Sequence, residues 1–312
     1  MKKYFYLAAA ALTLAACSSD ETTNAVPDAP AEPIMLTACV GEATQTRAGA
    51  DIQSQAFEEN ELIKVECTPS AGGTTSSVTY KAGAPSANVN SLTAQGSALT
   101  WPASGTVAIK AFYPSTVTSS IVSFTVNDNQ TDATNYKGSD LMYATPISDQ
   151  AKVANVSLTF NHALAKIVVN MTAGDGLDAT DIGNCTVTLH AKKTATIGSG
   201  AVTKDASNNY NATGDAVTIT MGTGSSVAAI IVPQTITASA SSKYNFITIT
   251  TAGNHSVTYQ LSTDKTFDAG KVYTYSLKVS MSAITLQSNS ITDWDGTGDD
   301  KTINETSNPL TL

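Results

Sequence analysis

Arginine is almost missing from this chain: Arg47 is the only one in 312 residues, and every other basic residue is a lysine. Charge of either sign is scarce, at 14% of residues, and the formal net charge is −9. That balance excludes a nucleic-acid footprint, which needs Lys and Arg clustered against phosphate. Two tryptophans, Trp101 and Trp294, are a thin supply for a lectin that stacks sugars on aromatic platforms. The three histidines, His162, His190 and His255, are separated by long intervals. No GxSxG elbow, HExxH, paired CxxC or phosphate-binding loop occurs. Nothing in the sequence argues for catalysis or for a cofactor.

The apolar run at the start, Tyr4 to Ala16, is 13 residues long and follows Lys2 and Lys3. A bilayer span needs about 20 residues, so this run reads as a secretory signal and not as a membrane span. It ends in Leu14-Ala15-Ala16-Cys17, the form of a lipobox. The Cys17 thiol is the atom that would receive diacylglycerol. Acyl chains contribute about 0.8 kcal/mol per buried methylene, so several on one residue anchor a protein stably. Ser18 to Pro33 carries Asp20, Glu21, Asp28 and Glu32 with prolines at 27, 30 and 33. Such a segment buries too little to offset its ordering entropy and reads as an extended acidic leash.

Cysteine is sparse as well. With Cys17 set aside, Cys39, Cys67 and Cys185 remain, an odd number for an oxidising compartment. Cys67 alternates with Val65 and Ile63, and Cys185 with Val187 and Leu189, so both are expected to point into cores. The alternative, a Cys67–Cys185 bridge, would have to join two different domains.

What the chain does have is alternation. Val156-Leu158-Phe160, Val217-Ile219-Met221, Val257-Tyr259-Leu261 and Tyr273-Tyr275-Leu277-Val279 are apolar at every second position, with Thr, Ser, Gln and Lys between. This is the pattern of half-buried antiparallel strands, separated here by turn clusters such as Gly198-Ser199-Gly200. Tyr273, Tyr275 and Leu277 should therefore be buried on one face, with Thr274, Ser276 and Lys278 on the other. No window of 12 or more residues carries an apolar repeat of helical period, so the expected class is all-β. The stretch Trp101 to Pro114 is echoed by Ser225 to Gln234: each is an apolar strand that closes at a proline. The echo predicts two sandwiches of similar plan, covering 34–160 and 161–312, behind a signal at 1–17 and a leash at 18–33.

Several stretches, in this order, resemble the fimbrillin family, the type V pilus subunits of the Bacteroidota. They are the lipobox at Cys17, Thr46-Arg47-Ala48, Trp101-Pro102 leading to Ala111-Phe112-Tyr113-Pro114, and Leu158-Thr159-Phe160-Asn161-His162-Ala163-Leu164-Ala165-Lys166-Ile167. Ile231-Val232-Pro233-Gln234, Phe267-Asp268-Ala269-Gly270-Lys271-Val272-Tyr273-Thr274-Tyr275 and Ile291-Thr292-Asp293-Trp294 complete the set. Asn60-Glu61 stands where the family usually has Gly-Asp. The resemblance implies two transthyretin-like β-sandwiches in tandem, and assembly as the function. In that scheme a lipidated precursor reaches the outer membrane. An arginine-specific protease then removes the leash and first strand, and the groove so opened accepts a strand from another pilin subunit.

In this sequence the cut would fall between Arg47 and Ala48, within a small, polar stretch suited to an accessible loop. The removed strand, 34–40, would present Ile34, Leu36, Ala38 and Val40 inward. The donor would come from Ser282 to Leu312, including the tail 295–312. The other reading is a surface lipoprotein that stays monomeric and binds a glycan or host protein; the single arginine has no role in it. His162 falls in a framework motif and is expected to be a structural hydrogen-bonding residue. Asp293 to Asp300 has the oxygen density of a calcium loop but lacks the closing Glu, and reads as a solvated acidic turn.

Overall fold

The computed structural model describes residues 31–41, 56–197 and 210–294, together with the backbone of 301–303. Strands dominate, as the alternation requires. The first nine are β1 (Leu36–Val40), β2 (Leu62–Pro69), β3 (Ser76–Ala82), β4 (Asn90–Ala94), β5 (Val107–Tyr113), β6 (Ser123–Thr125), β7 (Met142–Ala144), β8 (Ile147–Gln150) and β9 (Val156–His162). A short helix, α1 (Ala133–Gly138), lies between β6 and β7. Then follow β10 (Ala165–Ala173), α2 (Ala179–Gly183), β11 (Thr186–Ala191), β12 (Thr194–Ile197), β13 (Tyr210–Thr213), β14 (Val217–Thr223) and β15 (Ser226–Ile231). The last are β16 (Gln234–Ile236), β17 (Tyr244–Thr250), β18 (Ser256–Leu261), β19 (Lys265–Phe267), β20 (Lys271–Val279), β21 (Ile284–Asp293) and β22 (Lys301–Ile303).

The first sheet runs β2-β3-β4-β1-β9-β7-β5-β8, and a further pairing of β2 with β5 closes it into a ring. β8 shares an edge of β5 with β7. Inward side chains of the ring, including Ile34, Leu36, Val65, Ile109, Leu158 and Phe160, form one apolar cluster. A second cluster takes in β10 onward, with Ile167, Leu189, Ile219, Ile247, Tyr275 and Leu277 among its members. Tyr273, Tyr275 and Leu277 are buried, Thr274 and Ser276 half-buried and Lys278 exposed, in the register that alternation predicted.

Three expectations change. The sheets are not purely antiparallel: β1 runs parallel to β9, and β10 parallel to β20. The division at 160/161 assigns everything before it to the first half, yet Val117, Phe124, Val126, Tyr136 and Leu141 pack in the second cluster. There β6 extends the sheet of β12 and β13. The echo of Trp101–Pro114 in Ser225–Gln234 is also misplaced by one strand. By pairing, β1, β2, β3, β4, β5 and β9 correspond to β10, β11, β14, β15, β17 and β20. So β15, in the second stretch, matches β4, and β5, in the first, matches β17. Strong apolar content marks any central strand, and it cannot say which one.

Cys39, Cys67 and Cys185 are free and buried, so the Cys67–Cys185 bridge does not form. Cys67 belongs to the first cluster and Cys185 to the second. Burial pushes both thiols up from their ordinary range, and the Asp181 carboxylate adds to this at Cys185.

Candidate functional site

β1 is the one strand of the ring that precedes the segment carrying Arg47. Its sequence, Leu-Thr-Ala-Cys-Val, alternates, and Ile34, Leu36, Ala38 and Val40 are all buried in the ring interior. On one side it pairs antiparallel with β4, Leu36 opposite Leu92 and Ala38 opposite Asn90. On the other it runs with β9 from Leu36/Val156 to Val40/Phe160. Its flanks are held too. The Ile34 amide donates to Leu99 O at 2.7 Å, the Val156 amide to Met35 O at 2.9 Å and the Gly41 amide to Phe160 O at 2.8 Å. Gly41 ends the strand at φ 64°, a left-handed turn that suits glycine. Cys39, between the inward-facing Ala38 and Val40, carries the strand's one thiol. That thiol sits 3.7 Å from Thr159 Oγ1 and 3.9 Å from Leu158 O.

Where the described chain resumes, Phe57 plugs the same interior. Its ring meets Phe160 edge-on at 4.9 Å and Tyr113 at 5.5 Å. Asn90, fully buried at the head of β4, fixes it. Asn90 Oδ1 accepts from the Phe57 amide at 2.9 Å, and Nδ2 donates to Phe57 O at 2.9 Å and Gly83 O at 2.7 Å. Phe57 is therefore secured by side-chain bonds from β4 as well as by its ring contacts. Neither residue is legible in the sequence: Phe57 is a lone aromatic in a polar stretch, and Asn90 looks like a turn residue. Asn90→Ala is expected to cost on the order of 3 kcal/mol in urea unfolding, because it strands buried backbone groups. A loss under about 1 kcal/mol would mean that the ring contacts alone hold Phe57.

Cys17, Arg47 and Ala48 lie outside the described residues, as do 295–300 of the acidic stretch. Asp293 is buried and its carboxylate pairs with the Lys271 ammonium. Among the described residues no group of three or more His, Cys, Asp or Glu is placed to hold a metal ion.

His162 ends β9 in a buried polar cluster. Asp132 caps α1, and the turn that follows presents Asp140, whose Oδ1 lies 2.9 Å from His162 Nδ1. The imidazole stacks on Trp294 with centroids 3.9 Å apart and planes 3° from parallel. Lys166 Nζ sits 5.6 Å from that indole, and the lysine is only 1% exposed. The Trp294 amide donates to Gly270 O and the Gly270 amide to Leu164 O, tying the end of β21 to the start of β10. The expected structural role of His162 holds. Alternation along β10 does not foretell that Lys166 is buried.

A model of the fimbrillin-like family matches residues 46–294. The chain belongs to the fimbrillin-like family. Among solved structures, this fimbrillin-like chain is similar to a candidate cell adhesion protein from Bacteroides uniformis. The two are 22% identical with a TM-score of 0.63, over 84% of this chain and 98% of that one. A candidate cell adhesion protein from Bacteroides ovatus gives 15% identity and a TM-score of 0.63, over 85% and 98%. The truncated tip fimbrial protein Mfa3 from Porphyromonas gingivalis gives 12% identity and a TM-score of 0.47, over 84% and 99%. At such identities the likeness concerns the fold. A search of curated protein sequences gives no match.

Proposed function

We propose that this chain is a fimbrial subunit, exported as a lipid-anchored precursor and assembled by strand exchange after one proteolytic cut. The observation that carries the reading is the place of β1. It is a single stave in an otherwise continuous ring, paired on both edges, and it joins the rest of the fold through the segment that holds the only arginine. A cut between Arg47 and Ala48 by an arginine-specific protease severs that join. β1 can then leave, baring the edges of β4 and β9 and an apolar channel between them. A strand from another subunit satisfies the same groups. Membership of a fimbrillin-like family supports a role at the cell surface among other pilin subunits. The family match also begins after β1 and ends at Trp294, leaving out the two segments that this reading sets in motion.

The donor is narrower than the sequence suggests. Ile284 and Leu286 are buried in their own core and β21 pairs with β20 along its length, so Ser282 to Trp294 is framework. That leaves 295–312 as the tail to be donated, of which 301–303 pairs as β22 with β21 and would have to leave that edge. Cys17 carries the lipid that holds the precursor at the outer membrane.

The test is to treat purified precursor with an arginine-specific protease and look for heat-sensitive, SDS-resistant ladders. Arg47→Ala should give none, and deletion from Asp295 onward should stop growth while leaving a folded monomer. Fatty-acid label should disappear in Cys17→Ser. Ladders that persist without the tail would place the donor elsewhere, and an uncut, lipidated, monomeric surface form would refute assembly.

A further inference from the structure

The excursion of the first half into the second core does more than fill space. β15 pairs with β10 with Val227 opposite Val169 and Ala229 opposite Ile167, and the Met171 amide donates to Ser225 O at 2.7 Å. Bonded and non-bonded pairs alternate along an antiparallel ladder. Ser226, Ala228 and Ile230 therefore turn their N–H and C=O away from β10, onto an outer edge. At Ile230 both groups are taken by one side chain. The Ile230 amide donates to Gln130 Oε1 at 2.8 Å, and Gln130 Nε2 donates to Ile230 O at 2.8 Å. A primary amide here does the work of one residue of a neighbouring strand.

The backbone beside it does the same for another sheet. The Gln130 amide donates to Thr220 O at 2.9 Å, and the Thr220 amide to Asp128 O at 2.8 Å, a parallel bridge centred on Asn129. Thr220 lies on β14, whose other edge is held by β11. Three consecutive residues thus close outer edges of strands in two different sheets. Gln130 is 3% exposed, and its Nε2 also reaches Asn127 O at 3.0 Å. The Lys193–Asp128 ion pair at 2.8 Å ties down the outer end of the run. An open strand edge is a template on which another chain can pair.

We propose that residues 128–130, through the Gln130 side chain, are an edge guard that keeps a second copy of this chain from adding a strand at β15. β15 is thereby removed as a competitor to the slot of β1 for strand addition. The purpose of the guard rests on the strand-exchange reading, but its test does not, since it uses uncut protein without protease.

Gln130→Met keeps the length and bulk of the side chain and loses both bonds to Ile230. Uncut wild type is expected to scatter light as a monomer at every concentration. Gln130→Met, with an unchanged circular dichroism spectrum, is expected to give at least a fivefold larger oligomer fraction that grows with concentration. Adding Ala228→Pro removes an outward N–H without touching the β10 ladder, and should return the monomer. A folded, monomeric Gln130→Met overturns the proposal, as do oligomers indifferent to Ala228→Pro. If neither Gln130→Met nor Gln130→Ala folds, the residue is core and the guard is likewise refuted. Failure of protease-treated wild type to form ladders would sink strand exchange alone.

Discussion

A chain that begins at Ala48 is expected to lose most of the stability of its first half while the second half keeps its own. Ile34, Leu36 and Val40 leave the ring interior together with both ladders of β1. At about 1.5–3 kcal/mol for each large side chain, the loss is roughly 5–9 kcal/mol before any hydrogen bond is counted. Domains of this size are stable by about 5–15 kcal/mol in all, so the first half should open or bind apolar dye. Residues 117–141 should stay ordered, because their apolar side chains sit in the other cluster. Hydrogen exchange reads both halves at once: protection should fall in β2, β4 and β9 and persist in β11, β17 and β20. A synthetic peptide spanning Glu32 to Gly41 should restore it. Protection in β4 and β9 that is unchanged without β1 would mean the ring does not depend on this strand.

Trp294→Ala is expected to destabilise the protein by about 3–5 kcal/mol, the range for removing a large buried aromatic. The indole is 2% exposed, stacks on the His162 ring and has the Lys166 ammonium 5.6 Å from its centroid. Its loss leaves a cavity beside buried polar groups, which is costlier than a cavity lined by methyls alone. Urea unfolding gives the energy. Trp101 then remains as the only tryptophan and reports the first cluster separately from the whole-chain circular dichroism. Trp294→Phe should recover much of the loss by refilling the space. A cost under about 1 kcal/mol would show that the stack fills no critical gap.

How far the sequence could be read depended on the range of the contacts concerned. Alternation at Tyr273-Tyr275-Leu277 shows the buried face because each residue's orientation follows from its immediate neighbours. The strand over 34–40 was legible for the same reason. The excursion through Val117, Phe124 and Val126 was not: its apolar residues are few and carry no period, and its Gln130 meets Ile230 a hundred residues away. Separations of 33 and 22 residues likewise hid Asn90 beneath Phe57 and Asp140 as the partner of His162. Lone polar residues look alike on paper whether solvent or a backbone amide receives them. The parallel pairings of β1 and β10 escaped notice because alternation marks a strand but is silent on its neighbour's direction.

The tether between Gly41 and Phe57 sets how β1 competes with any substitute. While the link is whole, return of the strand is an intramolecular event, and covalent linkage can raise the effective concentration to the order of millimolar. A rival strand supplied by another molecule faces that figure at every opening. Once the link is cut, a departed β1 counts only at its bulk concentration, and a rival attached to a neighbouring molecule can inherit the advantage. No contact in the slot has to weaken for the preference to reverse. On the proposed scheme, one hydrolysed peptide bond makes the commitment, and dilution of the freed strand keeps it.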